Sequence, residues 1–168
     1  MSIGSTRDAQ AIDKPNGEWL QSRPGERFSI RIPASATNGN YSVTEILSSP
    51  GDSTPVHLHE NEDEHILVVE GTARVLYGDK TFDATAGTMI SLARGIPHAW
   101  GNPTDTPIRL MITARPGGVE EVLRLIATSG AFKQIRRRAY RPSGTGAWVT
   151  ESGDIKFEVT SDTTVIYK

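Results

Sequence analysis

The chain has no cysteine. Disulfide bonds, thiolate metal ligands and a cysteine nucleophile are therefore excluded. It has few aromatics, 7% of its residues, and no large excess of either charge sign. Eighteen basic and 20 acidic side chains leave a formal net charge of −2. A nucleic-acid partner is not expected, because its footprint is a clustered positive excess. The one basic run, Arg136 to Arg138, is short and reads as a solvated face. No apolar run approaches the ~20 residues needed to span a bilayer. The start, Met1-Ser2-Ile3-Gly4-Ser5-Thr6-Arg7-Asp8, lacks the apolar stretch of a secretory signal. The expectation is a soluble cytoplasmic protein without a membrane partner.

Glycine and proline are what the chain does have, 16 and 10 of them in 168 residues. Residues 1–27 read as a polar lead-in punctuated by Pro15, Gly17, Pro24 and Gly25, with room for one short strand near Trp19. From Phe28 onward, short alternating runs are divided by turn clusters. The runs are Phe28 to Ile32, Tyr41 to Leu47, Val56 to His59, Glu64 to Glu70, Thr72 to Tyr77, Lys80 to Asp83, Thr88 to Leu92, His98 to Gly101 and Ile108 to Ala114. Gly78-Asp79 reads as a tight hairpin loop. Many short strands at this spacing predict an all-β sandwich or barrel.

Val119, Val122, Leu123 and Ile126 then fall on one face at helical spacing. Glu120 and Glu121 would favour the positive end of that helix. This gives a barrel plus helix over 28–129. Residues 130–168 form an extension that packs on the barrel or on a partner subunit. It contains strand-like runs at Ala147 to Thr150, Ile155 to Thr160 and Thr163 to Tyr167.

All four histidines lie between residues 57 and 98. His57 and His59, two apart on a strand, point to one face. The polar residues Glu60, Asn61, Glu62 and Asp63 make a loop that returns Glu64 beside them. His98 arrives after the turn Gly95-Ile96-Pro97. Three imidazoles and a carboxylate suit one divalent Fe, Mn, Co, Ni, Cu or Zn ion. His65, next to Glu64, points to the opposite face and reads as structural. Arg74, Tyr41, Trp100 and Met111 are candidates to line the pocket.

These residues carry a resemblance to the cupin superfamily. Gly51, His57, His59, Glu64 and Gly71 match its first motif, G-x5-H-x-H-x4-E-x6-G, at every fixed position. Gly87, Gly95, His98 and Asn102 match the second, G-x5-P-x-G-x2-H-x3-N, which departs only at Ala93, where the family has proline. The resemblance implies a double-stranded β-helix, or jelly-roll, barrel with a short C-terminal helix and extra C-terminal strands. It implies metal ligation by His57, His59, Glu64 and His98.

The single-cupin layout is most similar to quercetin 2,3-dioxygenase-like proteins. That similarity implies a metal-dependent dioxygenase taking O2 and a flavonol, enol or phenolic substrate, with Glu64 as both ligand and catalytic base. The family also suggests a homodimer. Two other readings stay open: a metal-dependent isomerase or epimerase of a small carbonyl compound, and a cupin that binds a metal or small ligand without catalysis.

Overall fold

The computed structural model describes residues 17–129 and two strands beyond them, Glu158–Val159 and Val165–Tyr167. The basic run at Arg136 and the run at Ala147 to Thr150 lie outside the described residues. The chain order is β1 (Leu20–Arg23), β2 (Glu26–Ile32), β3 (Ser42–Ser48), β4 (His57–His59), β5 (Asp63–Glu70) and β6 (Thr72–Tyr77). It continues with β7 (Lys80–Thr85), β8 (Met89–Leu92), β9 (His98–Gly101), β10 (Ile108–Arg115), α1 (Val119–Ser129), β11 (Glu158–Val159) and β12 (Val165–Tyr167). A turn of 3-10 helix, Ala34–Thr37, links β2 to β3.

Among the described residues, the strands form two six-stranded sheets. One runs β1-β2-β3-β10-β5-β8 and the other β11-β12-β4-β9-β6-β7. From β3 to β6 and again from β7 to β10, successive strands alternate between the sheets, which is the jelly-roll arrangement expected from the strand spacing. Pairing is antiparallel except for β12, which runs parallel to β4.

The strand period of two sets the core. In β10, Ile108, Leu110, Ile112 and Ala114 turn inward and are buried, while Arg109, Met111, Thr113 and Arg115 face out. One row across the first sheet joins Phe28, Ile46, Leu110 and Val68. Val75 and Trp100, paired across β6 and β9, close the core from the second sheet. Each such side chain, fully buried, contributes roughly 1.5–3 kcal/mol relative to exposure.

Two turns show why particular residues sit where they do. Gly71, at the β5–β6 corner, has φ +82, and an added Cβ would lie 2.6 Å from Cγ2 of Ile108. Conformation and space therefore both demand glycine there. Pro24-Gly25 turns β1 into β2, with Arg23 and Glu26 as Cα partners and Gly25 at φ 95. Proline followed by a positive-φ glycine is the type II turn pattern. The lead-in thus contributes a hairpin strand to the first sheet.

Helix α1 spans Val119–Ser129 and packs over β1 and β3. Ile126 is fully buried and Leu123 packs on the core cluster. Glu120 is buried too, at 1% exposure. It accepts the backbone N–H of Ala34 at 2.7 Å and of Gly118 at 2.9 Å, pinning the helix start to the β2–β3 connection. Its burial opposes ionisation, but bonds from Ser42, Ala34 and Gly118 outweigh that and hold its carboxyl below the usual range.

Candidate metal centre

The structure brings His57, His59, Glu64 and His98 together, all buried, with one ligand atom of each within 4.8 Å of all the others. Their elements explain the convergence. His57 and His59 are the ends of β4, and His98 opens β9 directly opposite His57. Glu64 comes from the other sheet, in a row with Ala114 and Leu92.

The loops holding the site are themselves tied down. The Gly95 N–H donates to the His59 carbonyl at 2.8 Å. Arg94 forks onto Asp63 through Nε at 3.0 Å and Nη2 at 2.8 Å, joining the turn before His98 to the residue before Glu64. That pairing holds the Asp63 carboxyl well below the usual carboxylate range. The departure at Ala93 has a local counterpart. Its backbone N–H donates to the Tyr77 hydroxyl at 3.2 Å, a bond proline could not make.

The donor set fits a metal ion. Nδ1 of His57 lies 2.9 Å from the Pro55 carbonyl, and Nδ1 of His98 lies 2.9 Å from the Ile96 carbonyl. A carbonyl only accepts, so both Nδ1 atoms carry the proton, and a neutral ring then offers a bare Nε2. Oε2 of Glu64 stands 3.2 Å from Nε2 of both His59 and His98. At His98, whose Nδ1 already carries the ring proton, two lone pairs that close need a cation between them: a second proton on the imidazole or a metal ion.

Titration points the same way. Burial, with His98 and His59 alongside, pushes His57 well below the ordinary histidine range. Burial works to raise Glu64, but contacts from His59 and His98 hold it well below the carboxylate range. A neutral imidazole and an ionised carboxylate are the forms that ligate.

A cavity of about 250 Å³ opens on the His57, His59 and Glu64 side of this cluster. It runs along the inner face of β3 past Ser42, Thr44 and Ile46, under the helix residues Val119, Leu123 and Ile126. Of the candidate wall residues, Trp100 does line it. Arg74 does not: it faces outward and forks onto Asp83. Met111 sits on the outer side of β10, and Tyr41 is 38% exposed just before β3. For Arg74 and Met111, strand parity turned the side chain away.

Ser22, Arg23 and Glu26, at the other end of the cavity, were missed because the lead-in reads as irregular. The Pro24-Gly25 pair was the signal for the hairpin that carries them.

Residues 45–114 match the Cupin domain family. The chain is 35% identical over 71 residues to mannose-1-phosphate guanylyltransferase 2 of Escherichia coli O157:H7, covering 42% of this chain and 15% of that protein. It is 33% identical over 98 residues to mannose-1-phosphate guanylyltransferase RfbM of Salmonella typhimurium, covering 56% and 20%. The chain therefore spans about a fifth or less of these curated relatives. Among solved structures, KdgF from Halomonas sp. superposes with a TM-score of 0.59 at 16% identity, over 67% of this chain and 99% of that one. The domain match over residues 45–114 and the fold shared with KdgF agree on a cupin-type barrel in this part of the chain.

Proposed function

From a cupin domain carrying this buried His-His-Glu-His cluster, we propose a metal-dependent enzyme that joins O2 to a small, mostly apolar enol or phenol. A divalent ion held by His57, His59, Glu64 and His98 supplies a Lewis acid for an oxygen donor. The chain's own residues do the rest. Ile46, Ile112, Leu123 and Ile126 bury the ligand body and exclude water. Glu64, ionised inside the cluster, takes the hydroxyl proton as the enolate forms. Both oxygen atoms enter the product, so the substrate is its own reductant and no external electron donor is needed.

The observation that carries this reading is the cavity's character. Among its described lining residues the one cation is Arg23, and Arg23 already pairs with Asp52 and Glu26. A phosphate group would find no cation to spare. The volume, about 250 Å³, lies below the ~300–1,000 Å³ of sites for drug-sized ligands. A single-ring or short-chain compound suits it better than a three-ring flavonol.

A second reading, isomerisation of a carbonyl compound, draws on the relatives, whose names concern mannose 1-phosphate. One experiment separates the two. Chelator-stripped protein is loaded in turn with Fe, Mn, Co, Ni, Cu and Zn, and oxygen uptake is recorded on a panel of enediols and phenols, with His59→Ala as control. Metal-dependent uptake lost in the variant supports the dioxygenase. Turnover of a sugar or keto acid without oxygen supports the isomerase.

A further inference from the structure

Four side-chain hydroxyls line the cavity, those of Ser22, Ser42, Thr44 and Thr54. Three are committed within the protein. Ser22 donates to Oε1 of Glu26. Ser42 bonds the Glu120 carboxyl. The Thr54 hydroxyl donates to the Trp100 carbonyl at 3.2 Å and accepts the Trp100 N–H at 3.0 Å. Thr44 is different: among the described residues its hydroxyl has no hydrogen-bond partner. The residue is 4% exposed, and its oxygen is not sealed off by packing, so the cavity reaches it.

We infer that Thr44 is a specificity-determining residue, whose hydroxyl takes a second, uncharged hydroxyl of the ligand that the metal cluster holds by its first oxygen. The inference rests on the proposed small-molecule site and deepens it. When a ligand body displaces water from this wall, a hydroxyl left without a partner is costly. A ligand that offers a hydrogen bond at that point is therefore selected over one that does not.

The surroundings decide which group fits. Thr44 pairs with Ile30 on one side and Ile112 on the other, and Ile46 follows it on the same face of β3. Leu123 and Ile126 line the same cavity from α1. In this aliphatic setting one neutral hydroxyl does not offset the desolvation of a carboxylate or phosphate. A ligand hydroxyl, donor and acceptor at once, matches the threonine hydroxyl in either direction.

Strand register sets the spacing. Ser42, Ala114 and Glu64 form one row across β3, β10 and β5, and Thr44, Ile112 and Ile66 form the next inward-facing row. Thr44 is thus two strands across from Glu64 and one same-face step along, about 12 Å between Cα atoms. The second hydroxyl of the ligand is set apart from the oxygen at the metal by an apolar body lying against Ile112.

The test uses the full chain loaded with cobalt(II), whose visible absorption reports a new oxygen ligand. Straight-chain hydroxamic acids of increasing length, ending in methyl or in hydroxyl, serve as metal-seeking probes. At one length the hydroxyl-ended probe should bind about fivefold tighter than its methyl twin, the worth of one neutral hydrogen bond. Thr44→Val, which keeps the side chain's shape, should erase that preference, and Thr44→Ser should retain it. Thr44→Val should also melt no lower than the parent, because no bond within the protein is lost. Binding with no hydroxyl preference at any length, a preference that survives in Thr44→Val, or a clear loss of stability in that variant would overturn the role of Thr44 and leave the metal site standing. Failure of every hydroxamate to perturb the cobalt spectrum would overturn the small-molecule site and this inference with it.

Discussion

Glu64 and His98 come from opposite sheets and are 34 residues apart in sequence, yet Oε2 and Nε2 lie 3.2 Å apart as two facing acceptors. The Ile96 carbonyl fixes the His98 proton on Nδ1 and so creates that confrontation. A divalent cation resolves it, and the first expectation follows. His59→Ala and His98→Ala should each weaken metal binding by at least about a hundredfold, more than loss of a supporting contact costs. Metal content after dialysis, and calorimetric titration of stripped protein, measure this.

Glu64→Gln keeps an oxygen donor in the same place but has no carboxylate to take a proton. It should hold metal within about tenfold of the parent and lose oxygen uptake on any substrate found. Parallel metal analysis and oxygen-electrode traces decide it; undiminished uptake would remove the base role from Glu64.

Stripping the metal should lower the melting temperature, and the shift should grow with metal concentration. At a hundredfold excess over Kd, binding to the folded state alone adds about 2.7 kcal/mol. Melting curves across a metal titration test this. A midpoint unmoved after verified metal loss would deny the site a part in stability.

Gly71→Ala should cost about 3 kcal/mol. The new Cβ meets Ile108 at 2.6 Å, and φ of +82 is unfavourable for any residue with a side chain. The midpoint of urea unfolding gives the number.

The Glu120 staple should show a pH signature. A carboxyl depressed in the folded state adds stability that is complete above its unfolded pKa of about 4.3. That stability is lost as pH falls through the lower folded value. Glu120→Gln should therefore be less stable than the parent by about 1–3 kcal/mol at neutral pH. The gap should close as both are unfolded at progressively lower pH. A gap constant down to strongly acid conditions would mean the bonds do not depend on the charge.

Much of the fold was legible because strand parity and turn chemistry are written locally. The turn at Gly78-Asp79, the strand Thr72 to Tyr77 and the helix start at Val119 stand where the pattern put them. The convergence of His57, His59, Glu64 and His98 was legible from spacing on strands. The cavity walls were not. Whether Arg74 or Trp100 faces inward depends on which sheet face is covered, which is a long-range matter. Glu120 was read only as a partner of the helix dipole, because nothing local shows that Ala34 will come to rest against it. Likewise, the polar composition before Phe28 hid the antiparallel pairing of β1 with β2.

The cluster draws three ligands from one sheet and the fourth from the other, so it cannot exist before the two sheets have closed on each other. Bringing Glu64 to His98 closes a long loop whose entropy is spent by barrel assembly, not by the metal. In kinetic language, the ion acts after the folding barrier. Loading it should leave the refolding rate almost unchanged and slow unfolding by nearly the whole of its stabilisation. The protein would then differ between its two forms less in how quickly it reaches the native state than in how long it stays there.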